Sequence, residues 1–289
     1  MTDRSAHHAA QQQVPAEFDP AADIDLAADI DLASDVAERA GALLLELRAG
    51  WEWADGEPDR ELGRRGDHES NELILASLAR FRPGDCVLSE ESADDPVRLN
   101  ASRVWIVDPL DGTREFSMTG RADWAVHVAL WEAGTGITAA AVNQPALGEN
   151  YVVGATGNAG GPLSDGELGS NSRIRPEPVM LVSDSRPPPF AGQVAAAAGL
   201  QVESMGSAGA KAMAVVRGDA IAYLHAGGQW EWDSAAPVGV AASAGLHASR
   251  LDGSPLLYNQ PRPYLPDLLI CYPDVAEALL GALSEVQTG

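Results

Sequence analysis

The chain has 289 residues, of which 45% are hydrophobic and 21% charged, and its formal net charge is −23. This composition excludes a wholly disordered or collagen-like protein, and the length suffices for one large domain or two ordinary ones. The charge argues against polymeric nucleic acid and anionic lipid as partners, because phosphate groups are bound by clustered Lys and Arg. A small anionic substrate is compatible with it if a bound metal ion reverses the charge locally.

Membrane and secretory signals are missing from the sequence. No apolar run approaches the ~18–20 residues that a membrane helix needs, and the N-terminal residues lack the apolar segment of a secretory signal. Cys86 and Cys271 are the only two cysteines, too few for a disulfide framework and typical of a reducing compartment. The sequence therefore predicts a cytoplasmic protein.

The N-terminal part is predicted to contain a polar tail followed by two helices. Residues 1–30 are polar and acidic and are predicted to be disordered. Within and after them, the repeated ADIDLA sequence of residues 22–33 leads into apolar residues at helical spacing that continue to about Arg48. The repeats lack the Gly and Glu positions of an EF-hand, which favours an acidic helix start over a calcium loop. A second helix is predicted over 67–80.

The rest of the chain alternates between predicted strands and helices. Apolar runs predict strands at 104–108, 124–134, two places within 137–153, 179–183, 220–224 and 267–272, and helices near 189–199, 209–217 and 233–245. The turn-rich stretch 154–178 marks a boundary between an α+β domain over 31–175 and an α/β domain over 176–289.

The most informative motif is Asp-Pro-Leu-Asp-Gly-Thr, which follows directly on an apolar strand. A sharp turn at Gly112 aims the carboxylates of Asp108 and Asp111 and the carbonyl of Leu110 at one point, and Mg²⁺ prefers such oxygen ligands. The backbone N–H groups of Gly112 and Thr113 form an oxyanion site beside it. The alternative is an ordinary β-turn, since Pro, Asp and Gly are common turn residues.

Two further acidic segments lie at the predicted ends of strands or helices. Glu90, within Ser-Glu-Glu-Ser, follows a short strand and is a candidate third ligand. Asp233 precedes an apolar helix, where it is either another ligand or the N-cap of that helix. The occurrence of all three segments at element ends favours one shared site.

These motifs resemble those of a known superfamily. The sequences LSEES (88–92), VWIVDPLDGTREF (104–116), GSAGAKAMAV (206–215) and HAGGQWEWDSAAP (225–237) are similar to those of the lithium-sensitive, magnesium-dependent phosphatases. This superfamily includes the inositol monophosphatases and fructose-1,6-bisphosphatases, and the chain looks most like its actinobacterial 3′(2′),5′-bisphosphate nucleotidases. The resemblance covers about residues 30–285. It implies a layered α/β/α/β/α sandwich, lithium inhibition and a homodimer.

The resemblance also implies roles for individual residues. Two or three Mg²⁺ ions are expected to bind Glu90, Asp108, the Leu110 carbonyl, Asp111 and Asp233. Thr113 corresponds to the residue that positions the attacking water, and Asp67 to its aspartate partner, so these two are the expected catalytic residues. The substrate, a small phosphorylated molecule, is expected to contact Glu90, Leu110, Asp111, Gly112, Thr113, Gly206, Ser207, Lys211 and Asp233.

The substrate-binding end of the site departs from the family pattern. Lys211 is a candidate ligand of a second phosphate, but the residues before it satisfy neither a P-loop nor the Gly-Ser-Ser-Leu-Lys-like sequence of many related nucleotidases. His225 faces the substrate or is a hydrogen-bonded histidine at a strand end. Arg114 and Glu115 replace the Thr-Asn of typical inositol monophosphatases, which favours the nucleotidase branch.

The expected reaction is removal of the 3′-phosphate of adenosine 3′,5′-bisphosphate to give AMP, as in sulfate assimilation. The sulfated nucleotide, 3′-phosphoadenosine 5′-phosphosulfate, is a possible second substrate. Two alternatives stay open at this point. One is an inositol monophosphatase or fructose-1,6-bisphosphatase activity, and the other is a catalytically silent protein that binds metal or nucleotide.

Overall fold

A computed structural model describes residues 20–53, 58–154 and 178–288. The helices are α1 (Pro20–Ala49), α2 (Arg60–Phe81), α3 (Thr113–Phe116), α4 (Ala191–Ala197), α5 (Ala208–Val216), α6 (Ala235–Ser243) and α7 (Pro273–Thr288). The strands are β1 (Cys86–Ser89), β2 (Arg103–Asp111), β3 (Ala125–Glu132), β4 (Gly136–Gln144), β5 (Glu149–Val152), β6 (Val179–Ser183), β7 (Gln201–Met205), β8 (Ala222–Trp230), β9 (His247–Ser249) and β10 (Tyr264–Cys271). Most of the predicted boundary stretch and residues 1–19 lie outside the described residues.

The strands form two five-stranded sheets. The first has the order β1-β2-β3-β4-β5 and is antiparallel except for the parallel β1–β2 pair. The second has the order β7-β6-β8-β10-β9, in which β7, β6 and β8 run parallel and β10 runs antiparallel to both of its neighbours. The longer strands carry runs of buried residues, as expected where helices cover both faces of a sheet.

The helices lie in three layers around these sheets. Helices α1 and α2 pack on the outer face of the first sheet, and α5 and α6 lie between the sheets and contact both sides of the resulting core. Helices α4 and α7 cover the outer face of the second sheet. The predicted α/β/α/β/α sandwich is therefore confirmed. No described helix is long and apolar enough to cross a membrane.

The first two helices begin earlier than predicted. Helix α1 starts at Pro20, so residues 20–30 are helical and the predicted disordered tail extends too far. Its acidic repeat contributes Asp29, whose buried carboxylate pairs with Arg82 at 2.6 Å and Arg103 at 2.8 Å. Helix α2 starts after Asp59, whose side chain accepts hydrogen bonds from two backbone N–H groups. The apolar pattern missed both starts because one segment is acidic and the other is capped by a polar residue.

Other differences concern the less apolar elements. Strand β7, strand β9 and helix α7 were not predicted from the apolar pattern. Strand β7 is largely exposed at the sheet edge, and β9 is only three residues long, so neither carries a strong apolar signal. None of these elements contributes a residue to the predicted site.

Candidate active site

The Asp-Pro-Leu-Asp motif forms an irregularity at the end of β2. Pairing of β2 with β3 is regular up to Asp108 and resumes at Asp111, so the two residues between them interrupt the ladder. The Leu110 N–H donates to Asp108 Oδ1 at 3.0 Å, and Ser70 of α2 donates to the Pro109 carbonyl at 2.7 Å. These bonds fix the conformation of the bulge and hold both carboxylates on it.

Three carboxylates meet at this bulge, two from the motif itself and one from far along the chain. One oxygen each of Asp108, Asp111 and Asp233 lies within 4.8 Å of the other two. Asp233 is not an N-cap, because α6 begins after Ser234 and the Asp233 carboxylate accepts the Trp230 N–H at 2.5 Å. Asp233 is therefore a member of the acidic cluster and not the cap of helix α6.

The carboxyl groups of this buried cluster cannot all be ionised without a compensating positive charge. Burial, together with the nearby Glu90 carboxyl, holds the pKa of Asp108 well above its usual range. Burial and the charge of Asp233 raise the pKa of Glu90 to about 8, and burial and Asp111 raise that of Asp233 to about 6. Four neighbouring carboxyl groups ionise together only when a cation neutralises them. An all-oxygen set of this kind fits Mg²⁺.

Asp111 joins the two sheets through hydrogen bonds from α5. Its carboxylate accepts the Ser207 hydroxyl, the Ala208 N–H at 3.1 Å and the Gly209 N–H at 2.6 Å. The imidazole Nε2 of the buried His127 lies 3.3 Å from the same carboxylate. Burial opposes ionisation of Asp111, but His127 and these donors lower its pKa to about 2. Asp111 is therefore the permanently charged member of the cluster.

The turn after the motif requires a glycine. Gly112 has a φ of +86°, a left-handed conformation that side chains rarely adopt, and α3 begins at the next residue. A Cβ atom at Gly112 would lie 3.1 Å from both the Asp123 carbonyl and the Ser207 Cβ. This turn places Thr113 beside the bulge.

Thr113 and Asp67 lie together, as the resemblance implies. The Thr113 hydroxyl lies 3.1 Å from Asp67 Oδ1 on α2 and 3.1 Å from the Leu110 carbonyl. Burial and the neighbouring Glu91 raise the pKa of Asp67 to about 7. This pair opens on a cleft of about 910 Å³, measured with its part open to solvent, that Arg60, Arg64 and Arg114 also line. The pair can orient a water molecule and accept a proton near neutral pH.

A second depression, here called the β8 pocket, adjoins the cluster on the other side. It encloses about 590 Å³, including its opening to solvent. Its walls come from both halves of the chain: Asp111, Arg114, Glu115, Ser183–Arg186, Gly206–Ala208, Lys211, Tyr223, His225, Gln229 and Asp233. A concave pocket with several polar side chains, lined by both halves of the chain, is a candidate small-molecule site.

Lys211 lines this pocket, but its ammonium group is engaged with the protein. Its Nζ donates to the carbonyls of Met205, Gly206 and Ser207 at 3.3, 3.0 and 2.5 Å and lies 5.0 Å from the centre of the Tyr223 ring. These contacts use all three of its N–H donors. The prediction that Lys211 binds a phosphate remains open, whereas the structure shows it stabilising the turn before α5.

Arg186 is the pocket cation that the sequence did not reveal. Its guanidinium forms no ion pair or hydrogen bond with any residue that the structure describes, whereas Arg114 and Arg121 both pair with Asp184. The exposed Arg186 follows β6 directly, in a Ser-Asp-Ser-Arg turn with no recognised motif. Only its position beside the pocket distinguishes it.

Two other predicted residues have mainly structural contacts. The Gly206 N–H donates to Asp123 at 2.8 Å, and a Cβ atom there would lie 2.4 Å from the Glu115 side chain. His225 Nε2 lies 2.9 Å from the Gly228 carbonyl, and His225 also lines the pocket. His225 is therefore both a hydrogen-bonded histidine of the strand and a residue that faces the candidate substrate site.

Gly209→Ala is expected to weaken both folding and metal binding. A Cβ atom at Gly209 would lie 2.1 Å from the buried His127 Nε2, so the start of α5 would move away from Asp111. We expect the free energy of unfolding to fall by about 1–3 kcal/mol. The control is Gly281→Ala, on an open face of α7, which we expect to stabilise by about 0.5–1 kcal/mol.

Urea unfolding measures stability for both variants, and calorimetric titration with Mg²⁺ measures metal binding. Wild-type metal affinity in Gly209→Ala would show that the N-terminus of α5 does not orient Asp111.

The layered fold and its buried acidic cluster are typical of metal-dependent phosphoester hydrolases. The chain belongs to the inositol monophosphatase family, whose model matches residues 25–288.

Similar proteins support this membership. A 3′-phosphoadenosine 5′-phosphate phosphatase of Mycobacterium leprae is 53% identical over 259 residues, which cover 87% of this chain and 92% of the relative. The 3′(2′),5′-bisphosphate nucleotidase CysQ of Escherichia coli is 31% identical over 241 residues, covering 80% and 94%. The solved structure of a CysQ from Bacteroides thetaiotaomicron has a TM-score of 0.67 at 25% identity, covering 85% and 97%.

Proposed function

We propose that this protein is a Mg²⁺-dependent phosphatase that removes the 3′-phosphate of adenosine 3′,5′-bisphosphate to give AMP. The observation that carries the proposal is a pocket with the acidic cluster at one end and, on its wall, Arg186, which has no ion-pair partner in the part of the chain that the structure describes. A monophosphate needs only the metal end, whereas a bisphosphate also gains from a separate cation. The names of the relatives at 53% and 31% identity support the same substrate.

The described residues fit the metal ions that this reaction needs. Ligands would come from Glu90, Asp108, the Leu110 carbonyl, Asp111 and Asp233. The raised pKa values of Glu90, Asp108 and Asp233 mark a site that favours a cation. Two or three bound Mg²⁺ ions would neutralise the charge of the phosphate and lower the pKa of a bound water molecule.

The protein's own contribution is positioning and proton transfer. Thr113, held by Asp67 at 3.1 Å, orients the attacking water. As the water attacks, its proton passes to the Thr113 oxygen while the Thr113 hydroxyl proton passes to Asp67. A pKa of about 7 suits this exchange near neutral pH. The backbone N–H groups at Gly112 and Thr113 face the developing negative charge of the phosphoryl group.

The wider role proposed here is in sulfate assimilation, where the same site would also accept the sulfated nucleotide. Among the alternative substrates, fructose 1,6-bisphosphate gives the most informative comparison, because it carries two phosphates but no base.

Phosphate release by the purified protein with Mg²⁺ tests the proposal. Adenosine 3′,5′-bisphosphate, inositol 1-phosphate and fructose 1,6-bisphosphate are compared at equal concentration, and Asp108→Asn gives the background rate. We expect the nucleotide to have the highest kcat/KM. A preference for either sugar phosphate would reject the proposed substrate and retain the metal chemistry. Metal binding without turnover of any of the three substrates would contradict the proposal that this protein is an enzyme.

Arg186→Met is expected to weaken binding of the second phosphate selectively. Loss of a charge-assisted contact raises KM for adenosine 3′,5′-bisphosphate about tenfold, because none of the described residues competes with the substrate for Arg186. Adenosine 3′-phosphate, which lacks the 5′-phosphate, should keep its KM. Arg39→Met, on the exposed face of α1, is the control. Equal effects on both nucleotides would show that Arg186 does not distinguish the 5′-phosphate.

A further inference from the structure

The β8 pocket contains a buried amide group that has no hydrogen-bond partner within residues 20–53, 58–154 and 178–288. Gln229, near the end of β8, is 6% exposed and lines the pocket together with His225 and Lys211. Both its Oε1 and its Nε2 are buried, and neither forms a hydrogen bond among the described residues. An unsatisfied buried polar atom costs about 1–3 kcal/mol. A side chain with both atoms in this state is therefore expected to serve a partner that is not part of the chain.

The contacts around Gln229 show which groups are engaged within the protein and which are not. Its main chain pairs with Leu265 of β10, so strand hydrogen bonding fixes its place in the sheet. Lys211 is engaged with three carbonyls and His225 with the Gly228 carbonyl, whereas the buried Tyr223 hydroxyl of the same pocket also has no hydrogen-bond partner among the described residues. The amide is thus a free donor and acceptor on the pocket wall. These features belong to a ligand-recognition group, since a purely structural glutamine would be hydrogen-bonded.

We propose that Gln229 recognises the base of the substrate by paired hydrogen bonds to the edge of adenine. A carboxamide presents one acceptor and one donor side by side, and adenine presents its 6-amino group next to a ring nitrogen, which is the complementary pair. A single ribose hydroxyl lies opposite only one of the two amide atoms and leaves the other unsatisfied. Gln229 is therefore a specificity-determining residue. This inference rests on the proposed function, because it requires a nucleotide substrate.

The test compares two substrates that differ only at the recognised edge. They are adenosine 3′,5′-bisphosphate and its analogue in which hydrogen replaces the 6-amino group. We expect the wild-type protein to prefer the adenine compound by about tenfold in kcat/KM. In Gln229→Leu this preference should disappear, because KM rises more for the adenine compound, which loses two hydrogen bonds, than for the analogue, which loses one. An unchanged kcat on the analogue then shows that the variant is folded. Gln193→Leu, at an exposed position on α4, is the matched control.

The outcomes separate this inference from the proposed function. If the wild-type protein hydrolyses neither nucleotide, the proposed function has failed and the inference fails with it. If the wild-type protein hydrolyses both but Gln229→Leu keeps the adenine preference, only the inference is wrong. The 2′-deoxy form of the substrate provides a third arm. Loss of discrimination between ribose and 2′-deoxyribose in Gln229→Leu, with adenine preference retained, would assign the amide to the sugar and overturn base recognition.

Discussion

Asp108→Asn is expected to lower kcat by about 1,000-fold or more, the largest effect on activity of any single substitution considered. Asp108 is buried at the centre of the acidic cluster, where it shares a hydrogen bond with Glu90 and lies beside Asp111 and Asp233. Asparagine has nearly the same shape but cannot supply an anionic ligand, so metal binding is lost while packing is retained. Phosphate release and calorimetric titration with Mg²⁺ measure the two losses.

The stability of the same variant distinguishes a metal ligand from a structural residue. Because burial and neighbouring carboxyls raise the pKa of Asp108, its contribution to stability in the metal-free protein is lost as the pH rises. Asparagine has no proton to lose, so metal-free Asp108→Asn should match the wild type at low pH and exceed it at high pH.

With Mg²⁺ the order of stabilities should reverse. The wild type gains about 2.7 kcal/mol at a metal concentration 100 times Kd, whereas the variant gains little. Asp35→Asn, exposed on α1, is the control and should show neither change. A variant that still gains stability from Mg²⁺ would mean that Asp108 is not a required ligand.

The acidic part of the site could be predicted because its determinants are local. Asp108, Asp111 and Gly112 are adjacent in sequence, and their spacing alone specifies a turn that gathers carboxylates. The sequence groups Asp233 with them only because all three acidic segments lie at the ends of elements, and an aspartate before a helix can equally be a cap. The structure decides between these explanations because the side chain accepts a hydrogen bond from the Trp230 N–H and the N-cap of helix α6 is Ser234.

The substrate-binding part could not be predicted in the same way, because its determinants are tertiary. Whether a cation is free depends on partners that sequence does not specify. Lys211 follows a glycine-rich turn and looked like an anion ligand, yet that turn's own carbonyls surround it. Arg186 has no motif, yet among the described residues it is the pocket cation without an ion-pair partner. Gln229 is noticed only when both of its amide atoms prove to lack partners.

Lys211→Met is expected to have the largest effect on stability, and it decides between two roles for this residue. The substitution keeps the length of the side chain and removes the donors that three buried carbonyls share. We expect the free energy of unfolding to fall by about 2–4 kcal/mol in urea. The affinity for Mg²⁺ should fall as well, because the turn that Lys211 holds carries the Ser207, Ala208 and Gly209 donors to Asp111.

Comparison with Arg186→Met makes this prediction specific. Both substitutions remove one positive charge from the same pocket, so a general electrostatic effect on an anionic substrate would appear in both. The exposed Arg186 has no partner among the described residues, and its loss should raise KM without changing stability or metal affinity. Lys211→Met should instead lower stability and metal affinity whichever substrate is used. If Lys211→Met kept wild-type stability and only raised KM for the bisphosphate, Lys211 would be a phosphate ligand, and the carbonyl contacts would not represent its role in the substrate complex.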